Sequence, residues 1–583
     1  MLTMGRWVIT AIALGLVLGA STAWADVSGD VRELGTLTPL EDALVTLQAT
    51  ATLTTTDPNG SYTLPVSGSN LVIVAAKKGY YNASVLVNAP ASGVGILLEP
   101  VPQDNDPNYS LVPPDGCAGC HTDQFNQWNG SAMASAGLNT WVHDIFSGNG
   151  TAGGMGGFVY VNDSIFATSN PNSECASCHQ PELWIDSPFS ALEDPDQLGY
   201  PSDAVLHGVS CDVCHKVADV DVSKINFPGI FPGAVTLTRP QGPAHDQVQY
   251  GLLGDTDYTV TSLMRPSYQP QLAAEVCAAC HQDKNDPNED HTYTGVISEP
   301  TYLEWLASPF GDLESPFYAD CVDCHMPVTG DSAFCSVLFP ALDRSGQIRS
   351  HDIRGTTAEF LENAVELSIT AQSVGSLVEV QVDIENTSTG HHVPTGVTVR
   401  NMILLVEAWR EEDDLDLVYA GAQTVHDLGG IGDPNQGYYA GLPGKFYAKV
   451  NHDPNGQGPT FFTDAFGIQF DNRIPALATD TTFYSFAVPS GGGTLKVEAR
   501  LIYRRAFRFL VDAKGWTQDG HGNPLEDVLP PHYGHLMEIR QVIVGEAIPT
   551  LPPWGSAALM LLLLGAGGLV LRASLSLKDS SRT

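Results

Sequence analysis

Residues 117–121 read Cys117-Ala118-Gly119-Cys120-His121, and the pattern Cys-x-x-Cys-His occurs five times between residues 117 and 325. These pairs take up ten of the 11 cysteines in the chain, and a histidine directly follows each pair. Zinc sites and redox dithiols also use Cys-x-x-Cys, but neither requires the histidine. In chain order, the first to fifth motifs contain Cys117, Cys120 and His121; Cys175, Cys178 and His179; Cys211, Cys214 and His215; Cys277, Cys280 and His281; and Cys321, Cys324 and His325.

The spacing within each motif has a chemical reason. Two thiols three positions apart can add to the two vinyl groups of one haem, and the next residue then places an imidazole on the iron. We therefore expect five covalently attached haem c groups. The ten paired cysteines would form the thioether links, and the five histidines would be the proximal iron ligands.

The sixth ligand of each iron has to come from elsewhere in the chain. Seventeen histidines minus the five in the motifs leave twelve, and a haem used for electron transfer commonly takes histidine or methionine opposite its proximal histidine. Each candidate has the alternative of being an ordinary core or loop residue. The candidate distal ligands are His351, His207, His143, His245, His291, one of the neighbouring pair His391 and His392, Met133 and Met264.

Two further features of this region have simpler explanations. Cys335 is left over from the pairs, and we expect it to be buried as a small hydrophobic side chain. The acidic loop 283–290 offers oxygen ligands of the kind that calcium takes, but it lacks the EF-hand pattern. We therefore expect a solvated loop rather than a calcium site.

The two ends of the chain indicate export. Arg6 precedes an apolar run from Trp7 to Ala20, and Ala23-Trp24-Ala25 has the form of a signal-peptidase site, so residues 1–25 are predicted to be a signal peptide. Residues 548–583 contain an uncharged stretch from Gly555 to Leu571 followed by basic residues, which predicts a terminal transmembrane helix. The protein is expected in the cell envelope, in the periplasm or on the outer surface.

The C-terminal tail has a recognisable beginning. Ile548-Pro549-Thr550-Leu551 resembles the signature that opens short sorting tails on exported bacterial proteins. That resemblance implies that the tail is recognised and processed, whereas a plain single-span anchor would keep the protein on the membrane. Either alternative gives contact with the membrane through residues 548–583.

Residues 26–100 alternate apolar and polar side chains in short runs broken by turns such as Asp57-Pro58-Asn59-Gly60. This pattern predicts a small β-sandwich. Residues 56–64 together with Lys78-Gly79-Tyr80-Tyr81 resemble the carboxypeptidase regulatory-like domain, which implies an immunoglobulin-like module without catalytic residues. Residues 101–114, rich in Pro, Asp and Asn, are predicted to be a linker.

The remaining two blocks complete the predicted fold. Residues 115–356 contain every cysteine, and we expect a loop-rich, mainly helical haem domain with little sheet. Residues 361–545 contain runs such as Val378, Val380 and Val382 alternating with polar residues, which predict a second β-sandwich. The expected fold is therefore multidomain, with two β-sandwiches flanking a helical haem domain and a transmembrane helix at the end.

The sequence segments around the motifs resemble those of multihaem c-type cytochromes over residues 115–410. Examples are the segments 125–131, 208–210, 298–305 and 324–327. The resemblance implies electron transfer in a bacterial envelope. Some members of that class instead reduce nitrogen or sulfur oxyanions at a haem that lacks a sixth protein ligand, and a haem-bearing surface scaffold or filament is a third alternative.

The charge of the chain limits its partners. With 27 basic and 66 acidic side chains, the 583 residues carry a formal net charge of −39, which repels nucleic acid. The same charge favours redox partner proteins with a basic docking surface.

Overall fold

A computed structural model of the chain describes residues 26–163, 165–195, 201–224, 234–257, 263–288, 290, 292–333, 335, 342–461 and 464–545. The predicted signal peptide and the C-terminal tail from residue 546 onward lie outside these ranges.

Two sheets occupy residues 26–98. One sheet has the strand order β4-β1-β7, with β1 and β7 parallel, and the other has the order β3-β2-β5-β6. Their apolar side chains, among them Val31, Val45 and Leu64, form one buried cluster. The strands are β1 (Asp26–Glu33), β2 (Leu44–Leu47), β3 (Leu53–Thr55), β4 (Ser61–Pro65), β5 (Gly68–Ala76), β6 (Ala83–Ala89) and β7 (Ala91–Leu98).

The motif-bearing block consists of short helices connected by loops and small sheets. Its helices are α1 (Pro114–Ala118), α2 (Thr122–Asn129), α3 (Thr140–Phe146), α4 (Phe166–Ser169), α5 (Cys175–His179), α6 (Pro181–Asp186), α7 (Asp203–His207), α8 (Cys211–His215), α9 (Glu275–Ala278), α10 (Thr301–Leu306), α11 (Cys321–His325) and α12 (Ala358–Asn363). Three two-stranded sheets lie between them, formed by β8 (Val217–Val220) with β9 (Val235–Leu237), β10 (Val248–Gly251) with β11 (Arg265–Tyr268), and β12 (Asp283–Lys284) with β13 (Ile297–Glu299).

Two larger sheets make up most of the C-terminal block. One has the strand order β14-β15-β22-β18, and the other has the order β17-β16-β23-β24, with β19 also paired to β16. A hairpin of β20 and β21 and the helix α13 (Arg508–Lys514) complete the block. The strands are β14 (Glu366–Val374), β15 (Leu377–Glu385), β16 (Asn401–Arg410), β17 (Leu415–Asp416), β18 (Val418–Tyr419), β19 (Gly444–Tyr447), β20 (Lys449–His452), β21 (Gly467–Asp471), β22 (Thr479–Ala487), β23 (Leu495–Arg504) and β24 (His535–Ile543).

The strand predicted from the alternation at residues 378–384 is confirmed. Val378, Val380 and Val382 on β15 are buried, and the residues between them are partly exposed. These valines share one apolar cluster with Val497 and Leu501 of β23. The cluster is therefore formed between the two sheets of this block.

Buried polar contacts join the C-terminal block to the motif-bearing block. Lys514, at the end of α13, is fully buried, and its Nζ donates to the backbone oxygens of Asp144 and Phe158 at 2.8 and 2.6 Å. The Trp516 indole donates to an Asp144 carboxylate oxygen at 2.6 Å and stacks on Trp141 with ring centroids 4.0 Å apart. Because each of these buried groups has a partner, the two blocks are held in a defined orientation.

The predicted fold class needs two corrections. The chain is rich in sheet, with 31% strand and 20% helix, and the motif-bearing block is a mixture of short helices and two-stranded sheets rather than mainly helical. Each motif has five residues and needs only one helical turn, so the motifs do not require long helices. Helices this short are stable only through tertiary packing.

The second correction concerns the terminal transmembrane helix. Within the described ranges, no helix has the length and apolar character that crossing a bilayer requires. The longest helix there, α2, has 8 residues, about 12 Å, against a hydrocarbon core of about 30 Å. The stretch Gly555–Leu571, on which the prediction rested, lies outside the described residues.

Candidate haem-attachment sites

Each Cys-x-x-Cys-His motif lies on or directly after a single helical turn. The second, third and fifth motifs coincide with α5, α8 and α11, and the first cysteines of the first and fourth motifs lie in α1 and α9. On a helix, residues three and four apart share one face. Both thiols and the imidazole of a motif can therefore contact one ligand. None of the 11 cysteines is in a disulfide.

Thiols of different motifs contact one another. Hydrogen-bonding contacts join Cys117 to Cys211, Cys178 to Cys280 and Cys277 to Cys321. In addition, the pKa of the Cys214 thiol is raised to about 12 by burial and by the nearby Cys277. The motifs are therefore connected in the order first, third, fourth and fifth, and the second motif joins the fourth.

Three of the five motif histidines are oriented through Nδ1. Nδ1 lies 3.3 Å from the Ala136 oxygen in His179, 2.6 Å from the Tyr250 oxygen in His215, and 2.5 Å from the Arg354 oxygen in His325. A carbonyl oxygen only accepts hydrogen bonds, so Nδ1 carries the proton and Nε2 keeps its lone pair. This is the usual arrangement of a histidine that binds a metal.

Burial keeps two of the imidazoles neutral. It lowers the pKa of the half-buried His179 and His351 to about 4 in each case. For His351 the neighbouring His215 adds to this effect. A neutral imidazole is the form that binds a metal ion, so both are competent ligands at pH 7.

His351 lies opposite the histidine of the third motif. The ring centroids of His215 and His351 are 6.5 Å apart, and the ring planes are 17° from parallel. A metal bound between two imidazoles, with bonds of about 2 Å, holds the ring centres about 6 Å apart. His351 Nδ1 is 3.1 Å from the Arg349 oxygen, so its Nε2 is also free to bind a metal. The pair fits the two axial ligands of one haem.

The fifth motif has a matching pair, and it involves His391 rather than His392. The rings of His325 and His391 have centroids 6.5 Å apart and are 15° from parallel, and His391 Nδ1 is 3.0 Å from the His392 oxygen. His392 instead directs Nδ1 toward Glu304 Oε1, 3.8 Å away. Of these two neighbours, only His391 has its ring at this distance from that of His325, and iron binding by either stays a prediction.

The other candidate histidines have different surroundings. His143 is buried, its Nε2 is 2.9 Å from the Gly137 oxygen, and it lies within electrostatic range of His179. His207 Nδ1 is 3.1 Å from Glu182 Oε2. His245 has a buried Nδ1 without a hydrogen-bond partner. His291 lies outside the described residues. For His143, His207 and His245, iron binding stays a prediction.

The two candidate methionines also differ in their surroundings. Met264 Sδ accepts hydrogen bonds from Gln249 Nε2 at 3.0 Å and from Lys216 Nζ at 3.4 Å. Met133 is half-buried, and its backbone oxygen accepts from Val209 N at 2.9 Å. The sulfur of Met264 is therefore held by two donors, and its role as an iron ligand, like that of Met133, stays a prediction.

Two further residues near the motifs were not expected from the sequence. His521, from the C-terminal block, lies close enough to His179 to lower the pKa of that imidazole. Its Nδ1 is 2.8 Å from Ser135 Oγ. Cys335 is only half-buried, and its thiol contacts Cys120 of the first motif. No spacing in the sequence connects either residue to a motif, because only the fold brings them together.

Comparison with solved structures finds a similar fold. No known family model matches the chain, and no curated protein matches it. A penta-haem cytochrome c552 from Thermochromatium tepidum is similar in structure, with 20% identity and a TM-score of 0.51, over 74% of this chain and 99% of that one. The chain therefore has the fold of a multihaem cytochrome.

Two other solved structures overlap only in small parts of the chain. Both are type II cohesin–X-dockerin complexes from Acetivibrio cellulolyticus. They have 18% and 16% identity, TM-scores of 0.11 and 0.12, and cover 12% and 19% of this chain and 51% and 76% of theirs. At these scores they say nothing about the site.

Proposed function

We propose that this chain is an exported multihaem c-type cytochrome that transfers electrons through five covalently bound haem c groups. The observation that carries the proposal is the pairing of His215 with His351 and of His325 with His391, at the spacing of two imidazoles on one metal. When bound, haem iron supplies one-electron chemistry by alternating between its ferric and ferrous states. The penta-haem cytochrome fold supports the same function.

The protein would contribute the positions and the axial ligands. Two strong nitrogen ligands from the chain leave no open coordination position on an iron, which suits electron transfer rather than substrate binding. The carbonyl oxygens of Tyr250 and Arg354 hold the proximal imidazoles of the third and fifth motifs in place. Hydrogen bonds of this kind, from groups that do not bind the metal themselves, fix the orientation of the imidazole ring and tune the redox potential of the metal.

The contacts between motifs support a connected relay. Because Cys117 contacts Cys211 and Cys277 contacts Cys321, groups attached at these thiols would be neighbours. Cys280 contacts Cys178, so the fourth motif would join the second motif to the others. The relay would thus have a branch at the fourth motif, with the first, second and fifth motifs at its ends.

A pulse experiment tests the relay. The haem-loaded full chain is given less than one electron per molecule from a photoreduced flavin, and the absorbance of the haems is followed. We expect the electron to redistribute among haems at a rate that does not change with protein concentration, because the transfer is intramolecular. Redistribution at rates proportional to protein concentration would show exchange between molecules and would overturn the proposal.

The partner of this relay would be a protein with a basic surface. The acidic excess of the chain, 66 acidic against 27 basic residues, favours electrostatic attraction that salt screens. In stopped-flow mixing with a small basic cytochrome c, we expect the second-order rate to fall at least tenfold between low and 0.5 M salt. A rate that is insensitive to salt would contradict a basic partner.

A further inference from the structure

His391 lies in an irregular segment of the chain. Residues 386–400 connect β15 to β16, and a side chain on such a segment keeps one direction only where neighbouring groups hold its backbone. Asn386 Nδ2 donates to the His391 oxygen at 2.9 Å. Two residues further on, Val393 exchanges backbone hydrogen bonds with Ile474 at 2.9 and 3.0 Å. The backbone at His391 and directly after it is therefore fixed.

Further contacts to this segment come from Glu304, on helix α10. Its Oε2 accepts from His392 N at 3.2 Å and from Thr395 Oγ1 at 2.7 Å. The backbone oxygen of His392 is in turn 3.0 Å from His391 Nδ1, and a carbonyl oxygen only accepts, so the imidazole donates to it. Glu304 therefore holds the residue whose carbonyl oxygen orients the His391 ring.

Glu304 is itself held by a buried ion pair. Its Oε1 lies 2.7 Å from Arg473 Nη2, and the two side chains are 5% and 4% exposed. Asp471 binds the same guanidinium through Nε at 2.8 Å and Nη2 at 2.7 Å, and Arg473 Nη1 donates to the Pro394 oxygen at 3.3 Å. Because breaking a buried ion pair is costly, the Glu304 carboxylate keeps one position.

The end of α10 also packs against the segment that carries His391. A Cβ placed on Gly390 would lie 3.1 Å from Phe310 Cβ and 3.3 Å from Trp305 Cδ1, closer than the about 3.5–4.0 Å of ordinary van der Waals contact. Trp305 belongs to α10, and Phe310 follows the helix by four residues. The helix that carries Glu304 and the segment that carries His391 therefore form one packed unit.

We propose that Glu304 is a positioning residue that presents His391, rather than His392, to the iron of the fifth haem. The inference rests on the proposed function, since it takes His325 and His391 as one axial pair. Glu304 holds His392 at its backbone nitrogen, and His392 Nδ1 lies 3.8 Å from Glu304 Oε1. His392 is thereby kept at the carboxylate, while the ring of His391 lies 6.5 Å from that of His325.

Low-temperature electron paramagnetic resonance of the oxidised, haem-loaded full chain tests this role. We expect Glu304→Ala to remove at least half of the low-spin signal of one haem and to replace it by a high-spin signal or by a low-spin signal with different g values. Loss of such supporting hydrogen bonds weakens metal binding about ten- to 100-fold. Glu304→Gln keeps an oxygen that can accept from His392 N, so it should retain the original signal.

Two further variants separate positioning from general damage. In the His391→Ala chain, adding Glu304→Ala should change no other haem, because Glu304 acts through His391. Asp255→Ala is the control for the loss of a buried ion pair. Asp255 lies 2.8 Å from Arg344, with side chains 5% and 3% exposed, and it accepts from Ala49 N in the N-terminal block. We expect its haem signals to match those of the unsubstituted chain.

Three results would overturn the role of Glu304. They are an unaltered spectrum in Glu304→Ala, a change at a second haem in the double variant, and the same change in Asp255→Ala. If Glu304→Ala does not fold, Glu304→Asp decides instead, because it keeps a charge for Arg473 and draws the carboxylate away from His392. If His391→Ala changes one haem while Glu304→Ala changes none, only this inference fails. If His391→Ala changes none, the axial pairing behind the proposed function fails as well.

Discussion

The imidazoles of His215 and His351 face each other at a centroid distance of 6.5 Å, although one belongs to the third motif and the other follows the fifth. Each ring directs Nδ1 to a backbone oxygen, so each has its other nitrogen free. This distance matches that of two imidazoles bound to one metal ion. This relationship leads directly to the first test.

His351→Ala should remove one axial ligand from the haem of the third motif. We expect one of the five haems to become high-spin, because its iron keeps only His215 as a strong ligand. Low-temperature electron paramagnetic resonance of the oxidised, haem-loaded chain measures the change. The exposed His426 provides the control, since His426→Ala should leave the spectrum unchanged. An unaltered spectrum in His351→Ala would contradict the pairing.

The neighbours His391 and His392 allow a sharper comparison. His391→Ala should convert one haem to high-spin, because His391 lies opposite His325. His392→Ala should not, because His392 is directed toward Glu304. The two variants differ by one position, so general disruption of the loop would affect both equally. The reverse pattern would assign the ligand to His392.

Replacing both cysteines of one motif should remove one haem. The double variant Cys117→Ser with Cys120→Ser lacks both thiols of the first motif, so we expect four covalent haems instead of five. Intact-mass spectrometry of the purified chain counts them. Cys335→Ser is the matched control and should keep five, because Cys335 contacts Cys120 but belongs to no motif. Loss of a haem in that control would give Cys335 a part in attachment.

The buried Asp527 should make the stability of the chain depend on pH. Burial raises its pKa from 3.8 to about 6, although its Oδ2 accepts from the backbone nitrogens of Arg505 at 2.9 Å and Ala506 at 3.2 Å. The folded state then binds the proton more tightly than the unfolded state does. This contribution is present in full below about pH 4 and is lost as the pH rises through about 6.

Asp527→Asn removes this titration and keeps an oxygen that can accept both hydrogen bonds. We expect the free energy of unfolding of the variant, relative to the unsubstituted chain, to rise by up to about 3 kcal/mol between pH 4 and pH 7. Calorimetric unfolding of both chains across this range measures it. Asp416→Asn, at an exposed position in β17, should show no such trend. A constant difference between the Asp527 variant and the unsubstituted chain would contradict the raised pKa.

The covalent part of the predicted site can be read from the sequence alone, whereas the distal ligands cannot. Each Cys-x-x-Cys-His motif is local, so five consecutive residues contain both thiols and the proximal imidazole. Distal ligands come from distant segments, and their identity depends on how the chain packs. His351 was a candidate because it follows the fifth motif, yet only the fold shows that it faces the third.

The error in the predicted fold has a similar cause. The period-two alternation on β15 identified a strand, because one face of that sheet is buried and the other is not. The pairs β8 with β9 and β12 with β13 are too short to show a period, with between two and four residues in each strand. Strands this short leave no periodic signal in the sequence, so the sequence predicted a mainly helical block.

The central claim is that one chain carries five haems that exchange electrons. Spectroelectrochemical coulometry of the haem-loaded full chain measures both parts at once, because it counts electrons while the c-type haem absorbance is recorded. We expect five electrons per chain, all accompanied by reduction of covalently bound haem. Uptake of fewer than five electrons by fully loaded protein, or reduction without the c-type haem absorbance change, would contradict the account.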